Sequence, residues 1–514
     1  MTIQTIKRTA DYARMARLAY SLRKSDNEQV CEHARRHLIQ QMGKMRGLPQ
    51  KLGQMLSFAN NSGKDSHSSD FSLLQENAEP LPLESVQPII EQAWGQKIQS
   101  IVASIDPKAR AGSLGQVHRA TLLDGREVAV KVQYPGIRNA VMTDLKALGW
   151  LSIPIGNLRR GFDLASYRRV IQENLERELD YLQEANSHRE LGRWAENEPS
   201  LVVPCVIDEL CTENVLVTEW REGEHWQEVC DRWSDDKKQQ LAVAFSRFFL
   251  QGLFVQGKIQ ADWHPGNFRF RYEAGSAQIV LYDLGCICRP TDSERFALGR
   301  LIRATIHGDE SPWPLFLKLG FQRDLLEPLQ DKLPALCRTL FEPFTVEHPY
   351  NLADWNLDHR VKDVLGSDRM NFRIAGPANL VFLIRAFHGL TYYLSGLGTP
   401  IQFRRAFETC VLPIQEAMTE LELSADDSDC GFDTLAQHMK ICVRSHGRTK
   451  VKIKLRASAI ENLEEYLDQD LRKRLDRRGV HLPSLVSEIR QRGYAPGPVF
   501  NLVDGTKSVC VALE

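Results

Sequence analysis

The stretch QADWHPGNF, residues 260–268, places Asp262 and Asn267 five residues apart across a Pro-Gly turn. Such a turn is rigid and fixes the offset between the two side chains. A second acid, Asp283, follows in the stretch LYDLGCI and is separated from Gly285 by one leucine. Carboxylate and amide oxygens are the ligands that Mg²⁺ prefers. Any fold of this chain therefore has to explain two polar loops that carry metal-type ligands.

The bulk composition is that of an ordinary globular protein. The chain has 514 residues, 43% apolar and 25% charged, with a net charge of −1. This length predicts two or three folding units, and the balanced charge argues against a nucleic-acid partner. The eleven cysteines form no CxxC pair. They predict reduced core thiols in a cytosolic protein rather than a zinc site.

The N-terminal residues 1–60 are predicted to be helical. The first 24 residues carry six lysines and arginines against one acid, and they contain no unbroken apolar stretch of the signal-peptide type. The segment is interpreted either as a helix docked on its own domain or as a basic amphipathic helix on an anionic membrane surface. No window of about 18 consecutive apolar residues occurs, so we predict no transmembrane helix.

Residues 99–133 carry the pattern of β-strands. Asp124-Gly125 lies between two alternating runs, GSLGQVHRATLL and REVAVKVQY, which is a strong hairpin signal. In the second run Val128, Val130 and Val132 face one way, and Lys131 faces the other. A lysine on a covered face needs an anionic partner.

Further along, residues 164–194 are predicted to form one long acidic helix. Strands are predicted around LVVPCVID and ENVLVTEW, and the next helix is expected to end at Gly257. A strand, SAQIVLYDLGC, follows the opening stretch, and residues 292–440 are predicted to be mostly helical.

Two features of the strand region suggest contact with phosphates. The small-residue loop Arg110-Ala111-Gly112-Ser113 would let backbone N–H groups approach a phosphate, although a plain hairpin gives the same signal. Lys131 lies eighteen residues after Ser113 and ends a VAVK stretch. It matches the V-A-I-K strand of protein kinases, whose lysine pairs with nucleotide phosphates and a helix glutamate. The alternative is a structural ion pair.

The acidic segment ERELDYLQEAN supplies the candidate partners of that lysine. Asp180 and Glu184 are about one helical turn apart and would share a face, whereas Glu178 would point elsewhere. One set of acids could then meet Lys131 while Glu178 serves another partner. The alternative is a solvated acidic helix face.

The Asp262–Asn267 spacing equals that of the kinase catalytic loop, and Asp283-Leu284-Gly285 follows where D-F-G does. Asn267 and Asp283 are therefore predicted to hold Mg²⁺, and Asp262 to orient or deprotonate the attacking oxygen. His264 is interpreted as a brace of the loop, with direct chemistry as the alternative. Between the strand and the loop, VLVTEWREGEHW predicts a hinge. Its residues Glu219 to Glu222, with Glu219 and Trp220 first, are candidates to receive adenine.

In order and spacing these motifs resemble the UbiB/AarF family of atypical protein-kinase-like proteins, which are linked to ubiquinone and other isoprenoid lipids. The resemblance covers roughly residues 40–400. The K-x-G-Q signature is present as Lys51, Gly53 and Gln54, and RAGSLGQVHRA matches the family's alanine-rich loop. The E-x-D signature is present as Glu178 and Asp180.

The resemblance implies an α+β fold of two kinase-like lobes, with a helical N-terminal extension and a mostly helical C-terminal lobe. It implies ATP and Mg²⁺ as ligands, with Ala111, Gly112, Ser113, Lys131 and Glu184 at the nucleotide. By analogy the K-x-G-Q segment lies over the site, Lys51 meets Glu178 or Asp180, and Lys131 meets Glu184. It further implies ATPase activity, or action on small lipid-like partners rather than on proteins.

Three departures from the family pattern stand out. The loop is RAGS, so Gly112 adds flexibility and Arg110 adds a cation. Leu284 replaces the phenylalanine of D-F-G and is expected to fill the same apolar slot. Some family members end in transmembrane helices, whereas this chain has RSHGRTKVKIKLR at 444–456, with six basic residues and no acid. That segment is interpreted as a solvated basic stretch or as a membrane contact.

The leading hypothesis is an ATP- and Mg²⁺-dependent atypical kinase or ATPase in isoprenoid-quinone or membrane-lipid metabolism, cytoplasmic or peripheral on a membrane. A nucleotide-switched scaffold for lipid enzymes and a true kinase are the alternatives. The predicted divisions are an N-terminal extension at 1–84, an N-lobe at 85–221, a C-lobe at 222–440 and a basic, helical tail at 441–514.

Overall fold

The computed structural model describes residues 80–150, 164–423, 438–445, 448–456, 460, 463–464, 466–467, 469–478, 480–491, 497–504 and 507–514. The chain divides into two compact units, one up to Glu422 and one from Leu423 to Glu514. The predicted N-terminal helix with its membrane alternative, and the K-x-G-Q residues Lys51, Gly53 and Gln54, lie outside the described residues. Those predictions stay open.

The first unit contains a five-stranded antiparallel sheet. Its strands are β1 (Val102–Ile105), β2 (Arg110–Ala111), β3 (Gly115–Leu122), β4 (Glu127–Gln133) and, after an intervening short strand β5 (Leu201–Val202), β6 (Val215–Glu219). The order is β1-β3-β4-β6, with β2 paired to β3. Helix α1 (Leu83–Trp94) covers one face, where its residues Val86 and Ile90 pack with the apolar side of β4.

The predicted hairpin is confirmed. Strands β3 and β4 pair in antiparallel register around Asp124-Gly125, and Gly125 has a φ of 89°, which glycine adopts without steric cost. Val128, Val130 and Val132 have no exposed surface. Lys131 therefore points to the opposite face of the sheet, as the alternation predicts.

The predicted long acidic helix is two helices. After α2 (Ile137–Trp150), helix α3 spans Leu164–Glu178 and helix α4 spans Tyr181–Ala195. Asp180 adopts an extended conformation between them, and its carboxylate accepts a hydrogen bond from the Leu182 N–H at 3.1 Å. An aspartate at this position is a helix N-cap, so the break is local chemistry that the acidic composition concealed.

The remainder of the first unit is mostly helical. Helices α5 (Trp226–Arg232) and α6 (Asp235–Gln251) come first, and α6 continues as a π-turn to Gly257, which has a φ of 60° and ends the helix as predicted. Two short strands, β7 (Ile259–Gln260) and β10 (Ile287–Cys288), pair with each other and enclose the hairpin β8 (Phe268–Glu273) and β9 (Ser276–Leu281). The two predicted polar loops therefore connect β7 to β8 and β9 to β10.

Helices complete the unit after β10, as the sequence pattern predicts. They are α7 (Asp292–His307), α8 (Pro312–Lys318), α9 (Arg323–Leu326), α10 (Leu333–Leu340), α11 (Glu342–Thr345), α12 (Leu357–Leu365), α13 (Arg369–Ala375), α14 (Leu380–Leu397), α15 (Phe403–Val411) and α16 (Gln415–Thr419). Residues of α6, α7, α14 and α15 share one large apolar core with the hairpin β8–β9.

The described part of the second unit contains a four-stranded antiparallel sheet and two α-helices. Its elements are β11 (His438–Ser445), β12 (Arg448–Arg456), α17 (Gln469–Arg477), α18 (Leu482–Gln491), β13 (Gly497–Asp504) and β14 (Lys507–Leu513), with strand order β12-β11-β14-β13. A core of its own includes Met439, Ile441 and Val511. The unit therefore has the features of a separate folding domain.

This architecture corrects the predicted C-terminal tail. The basic segment 444–456 lies mainly in strands β11 and β12, and the charged helix expected after it is present as α17. The expected boundary at residue 440 falls inside β11. The compact units separate near Glu422 instead. The reason is that KVKIKL alternates charged and apolar residues with the period of a strand. Its high positive charge resembles that of a solvated tail and conceals this period.

One described helix, α14, is long and apolar enough by length and composition to cross a membrane. In the structure 44% of that span is buried inside the protein, where Phe382, Leu390 and Leu394 lie in core clusters. The nine described cysteines are free thiols. Cys286, Cys337 and Cys410 are buried, as core thiols are expected to be.

Candidate active site

Lys131 is held between two carboxylates. Its ammonium group donates to Glu184 Oε1 and Oε2 at 2.7 and 2.8 Å and to Asp283 Oδ2 at 2.9 Å. It also lies 5.1 Å from the centre of the Tyr181 ring. The predicted contact between Lys131 and Glu184 is therefore present, and strand β4, helix α4 and the loop after β9 meet at one cation.

The charges of this cluster are strongly coupled. Burial opposes the charge of Lys131, but the carboxylates of Asp283 and Glu184 raise its pKa well above its ordinary value. Burial raises the pKa of Glu184 to about 7, because the nearby ammonium offsets only part of the lost hydration and Asp283 adds repulsion. The cluster thus keeps a positive charge on Lys131 in a largely dehydrated place.

The Asp283-Leu284-Gly285 segment fits closely against helix α4. Leu284 has 1% exposure, and its N–H donates to Glu184 Oε1 at 3.3 Å. The apolar slot predicted for this leucine is confirmed. The Gly285 N–H donates to Asp283 Oδ1 at 3.0 Å, and a Cβ on Gly285 would lie 3.3 Å from that oxygen. The absence of a side chain at Gly285 therefore leaves room for the Asp283 carboxylate to accept this hydrogen bond.

The Asp262–Asn267 loop is braced from within. The Asn267 side-chain amide donates to the Asp262 carbonyl at 3.1 Å, and the Gly266 N–H donates to His264 Nδ1 at 3.0 Å. The second contact confirms the bracing role predicted for His264. The Tyr282 N–H donates to the Asn267 carbonyl at 2.9 Å. The residue before Asp283 is thus paired with Asn267, and the two predicted metal ligands lie at the same end of the hairpin β8–β9.

Gln260 connects the two polar loops. Its amide nitrogen donates to the Asp283 carbonyl at 2.5 Å, and its amide oxygen accepts from the Asp262 N–H at 3.1 Å. The side chain is buried. Gln260 is a site residue that the sequence pattern did not identify, although it opens the stretch QADWHPGNF. The signal available in the sequence was an amide side chain two residues before Asp262.

A second missed residue, Arg385 of α14, reaches the site from 123 residues away in sequence. Its Nη2 donates to Asp262 Oδ1 at 2.6 Å, and the two side chains are only 5% and 6% exposed. Burial alone would lower the pKa of Arg385, but Asp262, with further contributions from Cys286 and Glu178, raises it. The sequence signal was that Arg385 is the one Lys, Arg, Asp or Glu residue of helix α14.

The E-x-D residues have separate roles. Glu178 is buried and accepts from the Asn174 side-chain amide at 2.7 Å. Its Cγ also lies 3.7 Å from where a Gly285 Cβ would stand, so it comes close to the site from another side than Glu184. Asp180 caps helix α4 instead of sharing a helical face with Glu184. Glu178 and Glu184 thus contact different groups, Asn174 and Lys131, while the contact expected between Lys51 and the E-x-D acids stays a prediction.

The small-residue loop begins in a strand and ends in a tight turn. Arg110 and Ala111 form β2, and the Gly112 N–H donates to the Gly115 carbonyl at 2.8 Å, with Ser113 in the turn between them. A Cβ on Gly115 would lie 2.3 Å from the Val132 carbonyl oxygen and 2.6 Å from the Tyr181 hydroxyl. This close approach admits only glycine and brings the loop against the Lys131 strand.

The predicted hinge is partly occupied by sheet contacts. The Glu219 N–H donates to the Cys205 carbonyl at 2.8 Å, and the Trp220 N–H donates to the Glu127 carbonyl at 2.9 Å. The Trp220 ring lies 5.7 Å from the guanidinium of Arg110 and 5.0 Å from that of Arg119. An adenine that needs an N–H donor would therefore take it from the next hinge residues rather than from Glu219 or Trp220.

A cavity of about 480 Å³ borders the cluster. Glu184, Leu284 and Gly285 form part of its wall, and Leu253 and Phe382 add apolar surface. Charged groups such as Arg177, Arg289 and Glu294 also line it. The cavity can therefore accept a small amphipathic molecule next to the residues that hold Lys131.

The side chains present suit a Mg²⁺–nucleotide complex better than a metal site made by protein alone. Among the residues that the structure describes, no group of three or more His, Cys, Asp or Glu side chains is arranged to hold a metal ion. Mg²⁺ in phosphoryl-transfer sites takes one or two protein ligands and completes its octahedron with phosphate and water. Asp283, 36% exposed at its side chain, with Asn267 beside it, meets that requirement.

Comparison with known proteins points in the same direction. Residues 73–312 match the family model of the ABC1 atypical kinase-like domain. The rat protein named mitochondrial atypical kinase COQ8B is 33% identical over 252 residues, 48% of this chain and 47% of that protein. Mouse AarF domain-containing protein kinase 1 is 31% identical over 264 residues, half of each chain. The chain thus matches about half the length of both relatives.

Two longer matches extend the similarity. The Saccharomyces cerevisiae mitochondrial atypical kinase COQ8 is 26% identical over 380 residues, 72% of this chain and 75% of that protein. The solved complex of Rv3197 with erythromycin from Mycobacterium tuberculosis has 25% sequence identity and a TM-score of 0.51, and it covers 74% of this chain and 97% of that one. The kinase-like segment and its mixed α and β composition are therefore shared with solved and curated proteins.

Proposed function

We propose that this chain, which belongs to the UbiB/AarF family of atypical kinase-like proteins, binds ATP with Mg²⁺ and transfers or releases its terminal phosphate. The observation that carries the proposal is the convergence of Lys131, Glu184 and Asp283. Burial of a lysine between two acids from separate elements costs desolvation free energy, so the fold gains little stability from it. A role in pairing with nucleotide phosphates would explain why the cluster is present.

Each residue of the cluster has a role in this proposal. Lys131 would pair with phosphate oxygens, and Glu184 would hold the lysine in place. Asp283 and Asn267 would hold Mg²⁺, which neutralises charge on the phosphates. Asp262 would orient the attacking oxygen and accept its proton. The turn between Gly112 and Gly115 would bring the backbone at Ser113 close to the phosphates, next to Ala111, while the Gly112 N–H stays paired with the Gly115 carbonyl.

The adenine end of the nucleotide is assigned to the hinge. The N–H groups of Glu219 and Trp220 are already paired, so backbone groups of Arg221 and Glu222 are the candidates to contact the base. Trp220, flanked by two guanidinium groups, would bound this end. ATP would then extend from the hinge to Lys131.

We further propose that the ATP chemistry supports isoprenoid-quinone or membrane-lipid metabolism. Two relatives are named as COQ8-type mitochondrial atypical kinases. The amphipathic cavity beside Glu184 would suit the head group of an isoprenoid lipid or quinone precursor. The exposed lysines of β12 would provide a peripheral contact with an anionic membrane.

The deciding experiment is phosphate release from ATP and Mg²⁺ by the purified chain. It is run with and without anionic liposomes and a soluble quinone-precursor analogue, beside Asp262→Asn and the exposed control Asp236→Asn. We expect stimulated turnover that is lost only in Asp262→Asn. Full turnover by Asp262→Asn would sink the assignment of Asp262. Tight nucleotide binding without turnover under any condition would favour a nucleotide-switched scaffold.

A further inference from the structure

Helix α14 contacts the Asp262 loop at two neighbouring residues. Arg385 reaches Asp262, and Gly389, one turn further along the helix, lies against Trp263. A Cβ on Gly389 would come within 2.1 Å of the Trp263 Cβ. Tyr393, another turn along, has its ring 6.0 Å from that of Trp263. Residues spaced by four share a helix face, so one stripe of α14 supports the loop.

The Arg385–Asp262 ion pair carries a large desolvation cost. Both side chains are nearly fully buried, and transfer of two charges out of water is repaid only when their geometry is good. The Arg385 guanidinium cannot act as an acid or base itself, because it stays protonated. It does fix the direction of one carboxylate oxygen through a charge-assisted hydrogen bond at 2.6 Å.

The pair also lies within a wider buried network. Glu178 of the E-x-D signature and Cys286 lie close enough to Arg385 to raise its pKa. Asn174 donates to Glu178 and accepts a hydrogen bond from the Cys286 thiol at 3.5 Å. Arg385 is thus paired with the acid of the loop and is also influenced by the charge of the acid of helix α3.

We propose that Arg385 is a positioning residue for Asp262, and that α14 sets the orientation in which this carboxylate meets the attacking oxygen. The proposal rests on the proposed function, since it assigns Arg385 a part in ATP turnover. Arg385 contacts Asp262 rather than the phosphates, so its loss should lower kcat and leave the KM for ATP near that of the wild-type protein.

The test compares Arg385→Ala and Arg385→Lys with Arg300→Ala, which breaks a partly buried ion pair between Arg300 of helix α7 and Glu310, neither of which lines the cavity beside the site. We expect Arg385→Ala to lower kcat on the order of a hundredfold, the usual contribution of one positioned base. Arg385→Lys should recover part of this loss, because it restores the charge without the planar fork. Arg300→Ala should keep the wild-type kcat.

Chemical rescue separates positioning from general support of the fold. Millimolar guanidinium should raise the turnover of Arg385→Ala, because it can occupy the space of the lost side chain and donate to Asp262. Urea, which has the same shape without the charge, should not, and neither reagent should rescue Asp262→Asn. Unchanged kcat in Arg385→Ala, or a loss that guanidinium leaves untouched while Arg300→Ala loses as much, would overturn the proposal.

Amide hydrogen exchange gives a second measurement that does not need turnover. The amides of Asp262, Gly266 and Asn267 donate hydrogen bonds within or beside the loop. They should exchange faster in Arg385→Ala and near the wild-type rate in Arg385→Lys. If the wild-type chain releases no phosphate, the proposed function fails, and these exchange rates alone decide the positioning. Unchanged rates in a folded Arg385→Ala would overturn it.

Discussion

Lys131 and Glu184 join the sheet of the first unit to helix α4 through two hydrogen bonds of 2.7 and 2.8 Å. The Glu184 side chain is 1% exposed and that of Lys131 is 18% exposed. The contact is therefore screened little by water, unlike an ion pair on the surface. The contact links strand β4, whose Lys131 would pair with the phosphates, to helix α4, whose Glu184 holds that lysine in place.

Lys131→Met should lower the free energy of unfolding by about 3 kcal/mol at pH 8, because two carboxylates lose their buried cation. It should also abolish measurable ATP binding. Addition of Glu184→Gln should restore part of the stability but none of the binding. Urea unfolding and nucleotide titration check these outcomes.

The matched control is Lys97→Met, which removes an ion pair of equal length, 2.7 Å to Glu91, at a lysine that is 78% exposed. Its effect should stay within about 1 kcal/mol. Equal destabilisation by both substitutions would contradict the special status of Lys131.

Asn267→Ala should raise the Mg²⁺ concentration needed for half-maximal ATP turnover by about tenfold, the effect of losing one polar interaction of roughly 1.4 kcal/mol. The reason is that the amide would be one of two protein ligands and also braces the Asp262 carbonyl. Asn371→Ala, at an exposed site of α13, is the control. An unaltered Mg²⁺ dependence would remove Asn267 from the metal site.

Local periodicity made the position of Lys131 predictable. The alternation of Val128, Val130 and Val132 with Lys131 follows directly from strand geometry, and the Asp-Gly turn fixes the hairpin register. The partner Glu184 came from the family resemblance. The prediction of one continuous helix around Glu184 was wrong, because Asp180 belongs to an acidic signature and also serves as the N-cap of a second helix. Composition alone does not distinguish the two roles.

Contacts remote in sequence were not predictable in the same way. Arg385 follows Asp262 by 123 residues, and nothing in the local pattern of α14 names its partner. The second unit was missed for another reason. A strand at the edge of a sheet can be charged on one face and apolar on the other, and its charge then resembles that of a solvated tail.

Gly389→Ala should destabilise the protein by about 3 kcal/mol, because a Cβ at this position would overlap the Trp263 side chain in a packed core. The control is Gly192→Ala in helix α4, where a Cβ would meet nothing within 4 Å. That change should stabilise the helix by up to about 1 kcal/mol. Urea unfolding of both variants gives the comparison. A tolerated alanine at 389 would mean that α14 does not approach the loop so closely.

Stability should fall with acid through His188, which is buried in helix α4. Burial, together with the nearby charge of Lys131, lowers the pKa of His188 to about 4. His188 therefore takes up a proton near pH 6.5 in the unfolded chain but only near pH 4 in the folded chain. Stability contributed by neutral His188 is complete above pH 6.5 and is lost as the pH falls towards 4, by roughly 3 kcal/mol in total.

His188→Gln should flatten the dependence of the melting temperature on pH between 6.5 and 4. The comparison is His359→Gln, since His359 is 68% exposed at its side chain and should leave the curve unchanged. A wild-type slope that persists in His188→Gln would assign the acid sensitivity to other groups.

Strand β12 of the second unit presents lysines on one face. Lys450, Lys452 and Lys454 are exposed and alternate with Val451 and Ile453, which are 43% and 39% exposed. The three lysines share a side of the strand. Among the described strands β12 is the edge of its sheet, with β11 as its one neighbour. This strand is therefore the best candidate in the second unit for contact with an anionic surface.

Replacement of Lys450, Lys452 and Lys454 by glutamine should weaken binding to vesicles that contain anionic lipid, by up to on the order of a hundredfold at low salt, since each cation near such a surface contributes about 1 kcal/mol. The control replaces three exposed lysines elsewhere, Lys97, Lys362 and Lys473, so that the net charge is the same. Co-sedimentation at two salt concentrations measures both variants. Equal loss in both would show that net charge, rather than strand β12, governs the contact, and binding unchanged by either would remove the membrane contact from this strand.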